Sequence, residues 1–252
     1  MRGVRVTVVS TRGSAPREAG TQMLVTVDGI EGTIGGGALE WEAMAEARRM
    51  LADGRGTDTR QMALGPGLGQ CCGGAVTLRF EVAEALERGE GAPAWIWGAG
   101  HVGRALVSVL APLPDLSVTW VDTAAERFPA AIAQGVAKLI AADPPRLMPH
   151  APGNAHHLIL TYSHDIDLAL CDAALRRGFA TCGLIGSETK WARFRSRLAA
   201  LGHADAEISR IDCPIGDPGL GKHPQAIAVG VAARLLKEQL HKESAGRPVR
   251  QG

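Results

Sequence analysis

The sequence predicts an α/β protein in which an N-terminal α+β domain is followed by a Rossmann-like domain with a doubly wound parallel sheet. In the first half, short stretches with strand-like alternation surround one segment with helical spacing. In the second half, strand and helix patterns alternate, which calls for a parallel sheet with right-handed crossovers. A glycine-rich turn, Gly98 to Gly103, stands at the start of that half. We place the domains at residues 1–85 and 93–242, with the polar stretch 83–93 at their boundary.

The individual elements follow from residue periodicity and from glycine or proline at their ends. In the first domain we predict strands over 5–10, 23–27, 31–34 and 76–82, and a helix over 38–51 that Asp53-Gly54 ends. In the second domain we predict strands over 94–97, 116–121, 136–141, 157–161, 180–185 and 208–212, and helices over 101–110, 165–177, 188–201 and 224–240.

Composition excludes several classes of protein. The 252 residues are 46 % hydrophobic and only 4 % aromatic, so the core must rest on Val, Leu, Ile and Ala. The net charge of +1, with both signs interspersed, argues against nucleic-acid binding. No stretch reaches the roughly 18 apolar residues that span a bilayer. Residues 1–9 contain no signal-peptide pattern, so we expect a cytoplasmic protein whose five cysteines are thiols.

The glycine turn reads Gly98-Ala99-Gly100-His101-Val102-Gly103, after a predicted strand and before a predicted helix. Gly98 allows the tight turn, Gly100 lets backbone approach a phosphate, and Gly103 lets the helix pack on the sheet. Asp122 ends the next strand, where an acidic residue would reach a ribose hydroxyl. This pattern favours a Rossmann-type domain and makes an NAD(P)-dependent oxidoreductase the alternative function; a tight βα turn without any dinucleotide would have the same sequence.

The second candidate site is the loop Leu64-Gly65-Pro66-Gly67-Leu68-Gly69-Gln70-Cys71-Cys72-Gly73-Gly74. Backbone N–H groups of a glycine-rich loop lower a thiol pKa and favour the thiolate. Thiolates at Cys71 and Cys72 would suit a soft metal centre or carry a sulfane sulfur. No Cys-x-x-Cys or His-x-x-x-His spacing accompanies them, so the pattern does not indicate structural zinc. The alternative interpretation is two small, buried hydrophobic residues before a strand.

Four segments resemble a known family, the accessory proteins of xanthine dehydrogenase called the XdhC and CoxI group. The pieces Tyr162-Ser163-His164-Asp165 and Gly183 to Ser187 are more similar to the xanthine dehydrogenase branch. The resemblance spans nearly the whole chain in the same order. The four segments are Gly13-Ser14-Ala15-Pro16-Arg17 with Gly20 and Met23, Gly32 to Glu40, Leu68 to Gly74, and Cys213 to Pro224.

The resemblance implies a chaperone and not an enzyme, with a direct sulfurtransferase activity left open. Members of the family bind the molybdenum cofactor, protect it from oxidation, support its sulfuration and insert it into apo-xanthine dehydrogenase. It also implies a homodimer, with a cysteine desulfurase as a further partner. Members usually begin with a helix ahead of the first strand, whereas this sequence starts almost at that strand, which puts dimer contacts through such a helix in doubt.

The cofactor carries a phosphate at one end and molybdenum at the other, which suggests roles for particular residues. We expect Cys71 and Cys72, with Gly73 beside them, to face the metal. The phosphate would lie at Gly98–Gly103, or at Gly216–Lys222 with charge from Lys222. Arg17 is a weaker candidate, either an anion partner or a solvated surface residue. Glu40 lies near a helix start, where its charge would favour the helix dipole. Further candidates for lining the site are Cys213, His101, His164 and His223. Cys171 and Cys182 we assign to the core.

Overall fold

The computed structural model describes residues 2–64, 74–87 and 91–246, with residues 239–246 described by their backbone alone. The chain divides into two compact units, Met1–Arg88 and Gly89–Gly252. The first combines an antiparallel sheet with a helix, and the second contains a six-stranded parallel sheet with helices. The predicted α/β fold class is therefore confirmed.

The N-terminal unit is a five-stranded antiparallel sheet in the order β3-β2-β1-β5-β4, covered on one face by helix α1. Side chains at every second strand position point to α1, because successive side chains of a strand alternate between faces. Val4, Val6 and Phe80 are fully buried in this way. The elements are β1 (Gly3–Arg12), β2 (Gln22–Val25), β3 (Ile30–Gly32), α1 (Gly37–Asp53), β4 (Thr57–Leu64) and β5 (Gly74–Ala83).

Strand β4 was not predicted from the sequence. It is an edge strand paired with β5 from Thr57↔Glu81 to Leu64↔Gly74, and of its residues only Leu64 is buried. Its mostly polar side chains therefore leave no alternating pattern. Ion pairs hold the strand to α1 instead. The carboxylate of Glu46, buried in α1, accepts hydrogen bonds from Arg55 at 2.7 Å and from Arg60 of β4 at 2.5 Å.

The C-terminal unit is a six-stranded parallel sheet in the order β11-β10-β9-β6-β7-β8. Ile96 of β6 packs in a core that includes α2 and α6, and Trp97 packs in one that includes α3 and α4. The sheet is thus buried on both faces, as doubly wound folds require. The elements are β6 (Ala92–Trp97), α2 (His101–Leu110), β7 (Leu116–Asp122), β8 (Ala137–Ile140), β9 (His156–Ile159), α3 (His164–Arg177), β10 (Thr181–Leu184), α4 (Glu188–Ala200), α5 (Asp205–Ile208), β11 (Ile211–Asp212) and α6 (Pro224–Gly246).

The structure corrects the strand predicted over 208–212. Ile208 ends the short helix α5, and only Ile211–Asp212 pairs with β10. Helix α5 forms because the Glu207 carboxylate accepts a hydrogen bond from the Ala204 N–H, which would otherwise lack a partner at the helix start. The sequence analysis also did not assign the 3-10 helices Ala125–Arg127, Pro144–His150 and Pro218–Leu220. Within the described ranges, no helix is both long and apolar enough to cross a membrane.

Strand β9 places two histidines, His156 and His157, in the interior, where both are fully buried. Trp97 Nε1 donates a hydrogen bond to His157 Nδ1 at 3.2 Å. This bond needs an unprotonated Nδ1, so the ring proton lies on Nε2. Burial, with a smaller contribution from the neighbouring His156, lowers the pKa of His157 to about 4. The folded protein therefore holds His157 neutral across the physiological range.

We expect the folded state to lose stability as the pH falls from about 6.5 towards 4. Between these values the unfolded chain binds a proton at His157 and the folded chain does not, so stability rises with pH there. The shift corresponds to a free energy of unfolding on the order of 3 kcal/mol. His157→Gln keeps an acceptor for Trp97 and cannot titrate, so it should flatten this slope in urea unfolding. His150→Gln, at an exposed histidine, should keep the slope. An equal slope in wild type and His157→Gln would contradict the assignment.

Candidate functional site

The cysteine loop joins β4 to β5, and its ends meet at the pair Leu64↔Gly74. Cys71, Cys72 and Gly73 lie outside the described residues. Gly74, which follows them, packs against the chain after β1. A Cβ at Gly74 would lie 2.3 Å from the Ser14 carbonyl oxygen and 2.6 Å from that of Arg12, so only glycine fits there. The segment Gly13–Arg17 is thereby in contact with the residue that closes the cysteine loop.

A second segment of the resemblance, Gly32–Glu40, packs on the segment Gly13–Arg17. Gly35 has a φ of +124°, and a Cβ there would lie 2.8 Å from Pro16 Cβ. Glu40 fixes the turn, because its Oε2 accepts hydrogen bonds from Thr33 Oγ1 at 2.5 Å, Ile34 N at 3.0 Å and Gly36 N at 3.2 Å. Partial burial acts to raise the pKa of Glu40, but these hydrogen bonds outweigh it and leave the pKa lowered. Glu40 thus binds backbone N–H groups directly, a more specific role than the dipole contact expected of it.

Three separate parts of the sequence therefore lie together at one end of the N-terminal sheet, where β1 and β3 finish and β5 begins. They are the loop Gly13–Arg17, the turn Gly32–Glu40 and the residue Gly74 after the cysteines. We call this region the motif edge. Arg17 lies exposed on it, and within the described part of the chain its guanidinium has no hydrogen bond or ion pair. A free guanidinium at this position can accept an anion.

We expect Glu40→Gln to loosen the motif edge. A neutral amide oxygen accepts the same N–H groups more weakly than a carboxylate, so the free energy of unfolding of the N-terminal unit should fall by roughly 1 kcal/mol. Hydrogen exchange at the amides of Ile34 and Gly36 should accelerate. Glu42→Gln, at an exposed position two residues further along α1, serves as the control and should leave exchange at both amides unchanged. Equal exchange in the two variants would refute the role of Glu40.

The glycine turn of the C-terminal unit lies where the strand order reverses. Strand β6 is paired with β7 on one side and with β9 on the other, and open α/β sheets bind ligands at such a point. A Cβ at Gly98 would lie 2.4 Å from the Leu160 carbonyl oxygen, and one at Gly103 only 2.0 Å from that of Gly98. By contrast, nothing lies within 4 Å of a Cβ at Gly100, which caps α2 without a side-chain hydrogen bond. The open position at a helix N-terminus suits an anion.

Asp122, which the sequence analysis assigned to a ribose hydroxyl, is buried and bound to protein groups. Its Oδ2 accepts a hydrogen bond from Ala99 N at 2.5 Å, inside the glycine turn. Its Oδ1 accepts from Thr123 N at 2.6 Å and lies 2.6 Å from Arg127 Nε. A ribose contact stays a prediction, and it would require Asp122 to release or share these partners.

The alternative phosphate loop, Gly216–Lys222, is exposed over most of its length, including Lys222. Asp217 Oδ1 accepts a hydrogen bond from Gly219 N at 2.8 Å, so a carboxylate of the protein already binds one of the N–H groups of the loop. A negative charge there opposes a phosphate. The geometry therefore favours Gly98–Gly103 over this loop as an anion site.

The remaining candidate cysteines and histidines differ in how deeply they are buried. Cys171 and Cys182 are fully buried, and burial raises the pKa of both thiols. Cys213 is partly exposed, and burial still raises its pKa to about 11, so it is a thiol and not a thiolate. His101, His164 and His223 are exposed. Among the residues that the structure describes, no group of three His, Cys, Asp or Glu side chains could hold a metal.

The sequence analysis missed a buried ion pair beside the glycine turn. Lys190 Nζ lies 2.6 Å from Asp167 Oδ2 and donates to the Ile185 carbonyl oxygen at 2.8 Å. Asp167 Oδ1 also accepts from Thr161 Oγ1 at 2.7 Å. These bonds tie the segments after β9 and β10 together at the carboxyl edge of the sheet. No spacing rule would have found them, since the two charges lie in different helices.

We expect two glycine substitutions in the turn to lower stability by very different amounts. Gly103→Ala should lower the free energy of unfolding of the C-terminal unit by about 3 kcal/mol or more, because its methyl group overlaps a backbone oxygen. Gly100→Ala should cost about 1 kcal/mol at most, the difference between the two residues at a helix cap. Urea unfolding monitored by tryptophan fluorescence measures both. Equal losses would mean that the turn is not packed as described.

The strand order and the glycine turn define a Rossmann-type α/β protein with an additional N-terminal unit. Comparison with protein families gives two matches, to the XdhC Rossmann domain over residues 94–235 and to the XdhC and CoxI family over residues 1–62. The chain belongs to the XdhC and CoxI family, and the resemblance found in its sequence motifs is confirmed.

The chain is also similar to individual proteins, one by sequence and two by structure. The uncharacterized protein YqeB of Escherichia coli (strain K12) is 31 % identical over 240 residues, which are 91 % of this chain and 42 % of YqeB; this chain thus spans less than half of that relative. A crystal structure described as a xanthine dehydrogenase from Bacillus halodurans has a TM-score of 0.71 at 16 % identity, covering 98 % of this chain and 94 % of that one. The Escherichia coli tRNA N6-threonylcarbamoyladenosine dehydratase TcdA has a TM-score of 0.44 at 13 % identity, covering 61 % and 88 %.

Proposed function

We propose that the protein is an accessory factor of xanthine dehydrogenase that binds the molybdenum cofactor, protects it, supports its sulfuration and inserts it into the apo-enzyme. The observation that carries the proposal is the motif edge. There, the family segment Gly13–Arg17 contacts both Gly74, the residue that closes the Cys71-Cys72 loop, and Gly35 of the family segment Gly32–Glu40. Such packing fixes the position of Gly74, and a reactive pair of thiols needs a rigid support of this kind.

Each unit, taken by itself, offers groups that suit one chemical end of the cofactor. Thiolates at Cys71 and Cys72 are soft donors for molybdenum. The phosphate would lie at the open N-terminus of α2, where Gly100 leaves room and backbone N–H groups lack partners. Arg17, exposed and unpaired among the described residues, is a second anion partner. The cofactor would supply the molybdenum centre on which the receiving enzyme depends, while this chain binds and shields it.

This proposal makes the chain a chaperone and not an enzyme in its own right. Its partners would be the molybdenum subunit of apo-xanthine dehydrogenase and a cysteine desulfurase, and it would act in the cytoplasm as a homodimer. A carrier needs no general acid or base of its own. Among the described residues, the candidate histidines His101, His164 and His223 and the protonated thiol of Cys213 offer no paired acid and base.

Retention of molybdenum tests the proposal. Wild-type protein from cells that make the cofactor should carry molybdenum and pterin through gel filtration, measured by elemental analysis and pterin fluorescence. Cys71→Ala and Cys72→Ala should each reduce the retained metal at least several-fold, because a soft ligand is lost. Cys213→Ala, which removes a thiol with a raised pKa, is the matched control and should retain it. Full retention in the Cys71/Cys72 double variant would overturn the cysteine role.

The cysteine loop could also carry sulfur, and this role is tested by looking for a persulfide. After incubation with a cysteine desulfurase and cysteine, mass spectrometry would detect one added sulfur on Cys71 or Cys72 if the loop holds a persulfide. Cys213 should stay unmodified in the same sample, because thiols react as thiolates.

The alternative function is that of an NAD(P)-dependent oxidoreductase, which the Rossmann strand order and the glycine turn favour. The protein contacts of the Asp122 carboxylate weigh against it, since they use the oxygens that would bind the ribose. Calorimetry with NAD and NADP decides between the two. Micromolar binding would support the oxidoreductase, and no heat of binding would remove it.

A further inference from the structure

Arg127 reaches across the end of strand β6. It lies in the short helix after β7, with its Nε 2.6 Å from Asp122 Oδ1, and its guanidinium carbon is 4.0 Å from the centre of the Tyr162 ring. Tyr162 follows β9. Strands β7 and β9 flank β6 on either side, so their ends lie about 10 Å apart. The guanidinium therefore spans the carboxyl end of β6, where the glycine turn begins.

A second arginine anchors this bridge to the turn itself. Arg104, in the first turn of α2, donates from Nη2 to the Arg127 carbonyl oxygen at 2.9 Å and from Nε to the Ala99 carbonyl oxygen at 3.1 Å. The backbone of Arg127 is thus fixed relative to the glycine turn. The side chain of Arg127 is one-third exposed. It rests on the ring of Tyr162, which is itself 61 % exposed. The contact with the ring is consequently the part that can exchange.

The chemistry of the guanidinium indicates what would exchange with it. Arginine binds phosphate through two parallel hydrogen bonds, a stronger and more directional contact than stacking on an exposed ring. The open space at Gly100 lies on the same turn, at the N-terminus of a ten-residue helix. A phosphate there would meet both the helix N–H groups and Arg127.

We propose that Arg127 and Tyr162 form a clasp over the glycine turn, and that a phosphate monoester on a planar heterocycle opens it by binding the guanidinium. The proposal rests on the placement of a phosphate at Gly98–Gly103 made under the proposed function. It adds the residues that control access to that site. A mononucleotide and a phosphorylated pterin share the required chemistry, and both belong to the test.

The composition of the chain offers a clean measurement, because Tyr162 is its only tyrosine. Protein labelled with 3-fluorotyrosine should give a single fluorine resonance in NMR. Arg127→Ala should move this resonance, whereas Arg146→Ala, at an arginine that is 86 % exposed and pairs only with Asp143, should not. Arg127→Lys keeps a charge for Asp122 and covers the case in which the alanine variant fails to fold. It should also move the resonance, because an ammonium cannot stack in the same way.

Titrations then test the ligand. AMP and neopterin phosphate should each shift the wild-type resonance saturably towards its position in Arg127→Ala, and the one with the lower half-saturation identifies the preferred class. Adenosine, which lacks the phosphate, should leave it in place, and AMP should cause no further shift in Arg127→Ala. Identical resonances in wild type and Arg127→Ala, no shift with either phosphate, or an equal shift with adenosine would each overturn the clasp.

Retention of molybdenum separates this inference from the proposed function. Wild-type protein that retains the cofactor but shows a fixed Tyr162 resonance overturns the clasp alone. Protein whose Tyr162 resonance responds to phosphate monoesters but which retains no cofactor overturns the proposed function alone.

Discussion

The carboxylate of Asp122 holds together the part of the C-terminal unit on which its candidate site depends. Buried at the end of β7, it accepts the Ala99 N–H of the glycine turn and pairs with Arg127. A buried carboxylate that loses its partners costs several kcal/mol, so these contacts are mutually dependent. Through Arg127 the same carboxylate is connected to Arg104 of α2. The glycine turn, the start of α2 and the position of Arg127 are therefore connected through one side chain.

The glycines of the chain serve two different purposes. Gly74 and Gly103 allow backbone segments to approach within distances that no side chain tolerates, and their role is packing. Gly100 has empty space in front of it, and its role is access. The sequence pattern Gly-x-Gly-x-x-Gly cannot separate these roles, because both require the same residue. The separation matters for function, since only an open glycine leaves room for a ligand.

The elements with strong periodicity could be predicted from the sequence, among them β6, α2 and α3, because burial on a defined face leaves a regular pattern. Strand β4 could not, since it is a polar edge held by Arg60 and Glu46. The candidate residues of the glycine turn were found by their spacing. The partners that decide how they act, Arg127 on Tyr162 and Lys190 on Asp167, were not found, because contacts between distant parts of the chain have no local signature.

The strand order of the N-terminal unit also governs when that unit can assemble. Strand β5 is the last of the five to leave the ribosome, yet it lies between β1 and β4 and pairs with both. Domains fold as units during synthesis, so until Ala83 has emerged β1 has a free edge that can pair with other chains. When β5 inserts into the middle of the sheet, it covers the free edge of β1 and brings Gly74 against Ser14 at the same time. Assembly of the motif edge and completion of the sheet are thus a single event in the biosynthesis of the protein.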